Sequence, residues 1–329
     1  MSVRKKLLGA SLALLLPAGA ATALEEITVG YFLEWPTPNL YAQAQRIYDE
    51  ALGVQVNWRA FETGVQMSAA MAGGAVQILY SQGVPPFVIA SSAGLDIELV
   101  GIAVTYDDND NCVVHASEGI TADNATDLVG KRVAVPLGTA AHYGMLRQME
   151  HFGIEPASLS IVDLAPADGA AALSRGDVAM ACGWGGGLTR MLDYGDVLLT
   201  GDEKRELGIR IFDAVSVESN FAAENPEIVA GFLRVTEDMN RRFQTDSAAM
   251  TPVIAGAAGM EPDAAETGLG LFVFPTLEEQ LGPEWMGRDL AVFLKEVADF
   301  FVEQGTMESA LDSYEGVINT SFMEMARDM

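Results

Sequence analysis

The chain reads as an α/β protein of two lobes, each built on a mostly parallel sheet. Short apolar runs alternate with helix-patterned segments from Glu26 onward. The rhythm restarts near Asn124, and after Asn225-Pro226 long helices replace it. Such a chain builds one sheet, crosses to build a second, and returns in helices.

The elements follow in order. Glu26-Ile-Thr-Val-Gly-Tyr-Phe32 alternates as a strand, residues 39–52 carry helical character, and 54–58 form a second strand. Residues 65–72 read as a helix stopped by Gly73-Gly74 and followed by a strand over 76–80. A helix over 85–93 and a strand over 98–104 complete the first run. In the second run, strands are expected at 112–115, 131–136 and 178–183. Residues 227–243 and 288–304 are amphipathic helices.

Composition limits the partners. Arg4-Lys5-Lys6, the apolar run Leu7 to Leu16 and Ala21-Thr22-Ala23 make residues 1–23 a secretory signal peptide, too short to span a membrane. The remaining 306 residues exceed what one core usually serves, so two lobes are expected. Half the residues are apolar, enough for a large core. The formal charge of −27 becomes −30 without the three leader cations, which disfavours nucleic acid and anionic membranes. A purely anionic ligand would approach against that field; a zwitterion would not.

Lys131-Arg-Val-Ala-Val-Pro-Leu-Gly-Thr-Ala-Ala-His-Tyr143 is the most informative stretch. A strand feeding a helix start leaves backbone amides unpaired beside the positive end of the helix dipole, a site for an anionic group. The turn has no Lys and no P-loop pattern, so a small anion suits it better than a polyphosphate. An ordinary strand-to-helix turn is the other reading. Cys112 and Cys182 lie in or beside predicted strands; a disulfide and two buried thiols are both open. His115, His142 and His151 lack metal-ligand spacing with either cysteine, and no Gly-x-Ser-x-Gly elbow occurs. No catalytic residue, metal or cofactor is expected.

Several segments resemble the periplasmic nitrate, sulfonate and taurine substrate-binding proteins of ABC transporters. They include Trp58-Arg-Ala-Phe-Glu-Thr-Gly64, Ala69-Ala-Met-Ala-Gly-Gly-Ala-Val-Gln-Ile78, Asp127-Leu-Val-Gly-Lys-Arg-Val-Ala-Val-Pro136 and Leu173-Ser-Arg-Gly-Asp-Val178. Ala141-His-Tyr143, Ile211-Phe-Asp213 and Asn220-Phe-Ala-Ala-Glu-Asn-Pro-Glu-Ile-Val229 complete the series, and the first two of these narrow it towards taurine. The resemblance runs from about Ile27 to Phe301. It implies a type II periplasmic-binding-protein fold, with lobe 1 over 24–113 plus 218–329 and lobe 2 over 114–217. It further implies a periplasmic, monomeric receptor that holds taurine at the hinge and delivers it to a permease and its ATPase. Asp213 matches the position that contacts the amine.

Ligands in such sheets sit at strand ends, which offers candidates independently of the family. Glu34 and Trp35 follow the first strand; Glu34 reads as an ammonium acceptor or a solvated loop carboxylate, and Trp35 as its cation–π cover or as packing. Ser81 and Gln82 follow the third strand and offer a hydroxyl and an amide. Thr139, Ala140, Ala141 and His142 begin the anion-binding helix, His142 either touching ligand or buttressing the loop. Trp184 stands among glycines as an aromatic wall, and Asp213 follows a short apolar strand. Hypotaurine, a longer alkanesulfonate or a thiamine precursor are alternative ligands. An enzyme on the same fold, of the type that uses a histidine and a cysteine cluster, is disfavoured by two widely spaced cysteines and a signal peptide.

Overall fold

Two sheets organise the computed structural model, which describes residues 24–329; the expected signal peptide over 1–23 lies outside the described residues. The first sheet takes β1 (Glu26–Phe32), β2 (Gln55–Phe61), β3 (Ile78–Gly83), β4 (Ile97–Tyr106), β10 (Phe212–Glu218) and β11 (Phe272–Val273), in the order β11-β4-β10-β3-β1-β2. The second takes β5 (Asp110–His115), β6 (Arg132–Ala134), β7 (Ser160–Val162), β8 (Met180–Trp184) and β9 (Gly195–Val197), in the order β7-β6-β8-β5-β9.

Most strands of each sheet share one direction, as helix-linked strands should. One long strand in each runs against them: β10 between β3 and β4, and β5 between β8 and β9. These are the strands by which the chain enters a sheet from the other lobe. β4 ends at Tyr106 and β5 starts at Asp110, so the crossing takes residues 107–109. The return leaves the helix Gly201–Glu206 and starts β10 at Phe212. The boundaries expected at 113/114 and 217/218 therefore fall inside β5 and β10, because each strand belongs whole to the sheet it enters. Both crossover strands begin at the seam between lobes, where β1, β3 and β4 end.

Local departures from the sequence reading have local causes. The helix expected over 39–52 is two, Asn39–Ala44 and Ile47–Leu52, broken at Arg46 with φ 56°. The first return helix is longer than its pattern, Pro226–Ala258, with a non-helical turn at Asp246. Pro226 starts it, where a missing N–H costs nothing. Cys112 and Cys182 stand opposite each other on β5 and β8 and are joined by a disulfide. Closing a loop across 70 residues contributes about 4 kcal/mol on the chain-entropy model. No helix among the described residues is long and apolar enough to cross a membrane.

Candidate functional site

A narrow cavity lies where the strand ends of the two sheets meet, walled by Phe32, Trp35, Tyr106, Asp110, Thr139, Trp184 and Asp213, among others. An adjoining cleft shares Phe32 and Trp184 and contains Glu34.

The first lobe supplies a carboxylate held in place. Asp213, the second residue of β10, is 3 % exposed. Ser81 Oγ donates to its Oδ2 at 2.6 Å, and Tyr106 OH donates to its Oδ1 at 2.7 Å. Trp35 Nε1 donates in turn to Ser81 Oγ at 2.8 Å, with the indole edge-on to Tyr106 and Phe272. Burial pushes the Asp213 carboxyl up to about 7, against the pull of its two hydroxyl donors. The Tyr106 phenol is held well above its ordinary range by burial and by Asp213.

Ser81 reaches Asp213 because β3 carries a bulge. Tyr80 pairs with Val215 and Gln82 with Ala214, so Ser81 is left without a partner on β10, at φ 64°. A bulge residue in the left-handed region re-aims its side chain, and such strain gathers at binding sites. Gln82 is aimed elsewhere: its amide donates to Gly64 O and Ser68 Oγ and accepts from Ser216 Oγ, wholly buried within the first lobe. The structure thus places Ser81 beside the cavity and Gln82 behind it.

The second lobe supplies a helix start. Thr139 caps the helix Ala140–His151, its Oγ1 accepting from His142 N and donating to Pro136 O. Thr139 and Ala140 reach the cavity wall; Ala141 is buried and does not line it. The helix Val84–Ser92 begins beside Gly83, also in the wall. The first turn after Thr139 carries free amides and partial positive charge, the complement of a small anion, whereas Pro85 and Pro86 leave the other helix start few N–H groups to offer. His142 turns away from the cavity. Its Nδ1 accepts from Gly138 N at 3.2 Å and its ring lies against Phe301, so it buttresses the loop. Burial lowers it to about 4, leaving it neutral.

Trp184 faces the cavity near Phe32, 5.9 Å between ring centroids. The glycines after it allow the lobes to touch: a Cβ on Gly185 (φ 54°) would meet the Glu34 carbonyl, and one on Gly186 the Glu34 side chain. Glu34 is not in the cavity wall. It forms a two-pronged ion pair across the seam with Arg190 of the second lobe, at 2.7 and 3.0 Å. Sequence reasoning named neither Tyr106 nor Asp110. Both end or begin a strand at the seam, the same rule that found Trp35, but the run Asp107-Asp108-Asn109-Asp110 looks like a solvated linker.

The Ser81 hydroxyl is engaged by a carboxylate and an indole, and no imidazole lines the cavity among the described residues. No group of three or more acidic, His or Cys side chains among them is placed to hold a metal.

The taurine-binding periplasmic protein of Escherichia coli is 27 % identical over 323 residues, covering 94 % of this chain and 98 % of that one. The alkanesulfonate-binding protein SsuA from Xanthomonas axonopodis, solved with MOPS, superposes with TM-score 0.74 at 20 % identity, over 91 % of this chain and 100 % of the other. The desulfurization enzyme DSZB superposes with TM-score 0.65 at 16 % identity, over 92 % and 99 %, so the architecture also carries catalysis. The NMT1/THI5-like family model matches residues 37–239, and the chain belongs to that family.

Proposed function

We propose that this protein is the extracytoplasmic binding component of an ABC importer and captures taurine, a small aminosulfonate, between its lobes. One observation carries the reading: a buried carboxylate from the first lobe and a helix start from the second face one small, aromatic-walled cavity. Asp213 takes the ammonium, Trp35 and Trp184 flank it, and the amides at Thr139 and Ala140 take sulfonate oxygens. Lobe closure desolvates both charges and forms the surface offered to a permease and its ATPase. A periplasmic, monomeric protein released from a signal peptide completes the proposal.

Taurine has seven non-hydrogen atoms, so a ceiling of about 1.5 kcal/mol per atom caps binding near 10 kcal/mol. Micromolar affinity falls well within that limit. Titration calorimetry of residues 24–329 with taurine tests the proposal. Saturable one-to-one binding at micromolar concentration is expected; silence at millimolar taurine sinks the ligand and redirects the search to hypotaurine and alkanesulfonates.

A further inference from the structure

We infer that Asp110 is a second carboxylate of the cationic subsite, so that the ligand's ammonium is gripped from both lobes at once. The inference rests on the aminosulfonate reading and adds the residue that ties the ammonium to lobe closure. Asp110 is the first residue of β5, 2 % exposed, in the wall of the same cavity as Asp213. Its backbone carbonyl accepts from Lys204 Nζ at 2.6 Å. Its carboxyl receives no hydrogen bond among the described residues, and Oδ2 is enclosed without a partner.

A buried carboxyl left unpartnered is costly, and native proteins rarely keep one without a use. An ammonium has three N–H donors. Both oxygens of Asp213 already accept a hydroxyl, so a second acceptor across the cavity completes the shell. The two carboxylates hold matching places, each at the start of the strand that enters its sheet from the other lobe. A ligand bonded to both joins the lobes, whereas a sulfonate without nitrogen touches Asp110 with nothing.

The charged and titratable groups around Asp110 are few. Asp213 comes from β10, Tyr106 from the end of β4, and Lys204 from the helix Gly201–Glu206. Lys204 Nζ is engaged by the carbonyls of Asp107 and Asp110. Trp184 is uncharged, and the helix start at Thr139 adds only its partial positive charge. Burial raises Asp110 well above the usual carboxylate range, Asp213 adds to the rise, and Lys204 opposes it. Ammonium binding therefore displaces a proton.

The test is calorimetric titration of residues 24–329 at pH 6.5 in two buffers of different ionisation enthalpy, with taurine, 3-aminopropanesulfonate and ethanesulfonate as probes. Asp110→Asn should weaken taurine binding roughly 10- to 100-fold, release fewer protons, and narrow the preference for taurine over ethanesulfonate. Its ligand-free melting temperature should equal or exceed that of the parent. If Asp110→Asn folds poorly, Asp110→Glu replaces it and should retain proton release. Unchanged affinity and proton release in a parent that binds taurine overturn the inference and spare the proposed function. Binding of 3-aminopropanesulfonate alone, weakened by Asp110→Asn, upholds the inference and corrects the ligand. Binding of neither aminated probe overturns both.

Discussion

Glu34 and Asp213 are both carboxylates at the seam between lobes, and sequence offers each as the acceptor for an ammonium. The structure gives them opposite surroundings. Asp213 is buried and receives only neutral donors, Ser81 and Tyr106, which orient it without cancelling its charge. Glu34 is about a third exposed and already paired, two bonds to one guanidinium. A carboxylate whose charge is answered by arginine has little left for a ligand. What would fit a carboxylate to hold an ammonium is the character of its partners rather than its place at a strand end.

Removing Asp213 should sharpen that contrast most. With the proposed ammonium left only Asp110, and without the carboxylate that Ser81 and Tyr106 orient, Asp213→Ala should weaken taurine binding by about 100-fold or more. Calorimetry checks it, and parental affinity in the variant would break the comparison. The pH dependence comes next. Asp213 is raised to about 7, so the folded, ligand-free protein holds a proton that the unfolded chain gives up near pH 4. Its contribution to folding stability is fully present below about pH 4 and is lost as pH rises towards 7. Ligand affinity runs the other way: it should rise from pH 5.5 and level off above pH 8, by up to about tenfold per unit for each proton displaced. Melting curves with and without taurine across that range should therefore diverge as pH rises.

Much of this fold was legible because it rests on pattern. Apolar alternation located β1, β3 and β4, and the motif over 131–143 predicted a helix start that Thr139 does cap. Periodicity could not show direction or aim. Whether β10 runs against its neighbours depends on where the chain crosses between lobes. Gln82 and Ser81 are adjacent and both polar; only the bulge in β3 decides which of them reaches Asp213. The pairing of Glu34 with Arg190 spans 156 positions and depends on glycines that let two loops touch. Asp110 was hidden by its own neighbours, since an acidic run signals solvent until a sheet buries its last member.

Ser81→Ala should have an intermediate effect. It removes one of the two donors that orient Asp213 and the acceptor for Trp35 Nε1, leaving an indole N–H buried. A loss of roughly three- to tenfold in taurine affinity is expected, with a higher apparent pKa for binding because the carboxylate loses a hydrogen bond. A shift of the pH profile separates this from simple loss of packing.

The smallest effect should come from the seam pair. Arg190 and Glu34 are 44 % and 36 % exposed, and pairs of that kind contribute about 0.2–1 kcal/mol. The bond joins one lobe to the other, so its contribution favours the arrangement in which the cavity is enclosed. Arg190→Gln should weaken taurine binding by no more than about fivefold, and raised salt should erase most of the difference from the parent. Glu34→Gln should do the same to the same extent, and the double variant should add almost nothing, as expected of two residues acting through one bond. If Glu34→Gln instead matched Asp213→Ala in size while Arg190→Gln stayed silent, Glu34 would be the ammonium acceptor and its arginine a bystander.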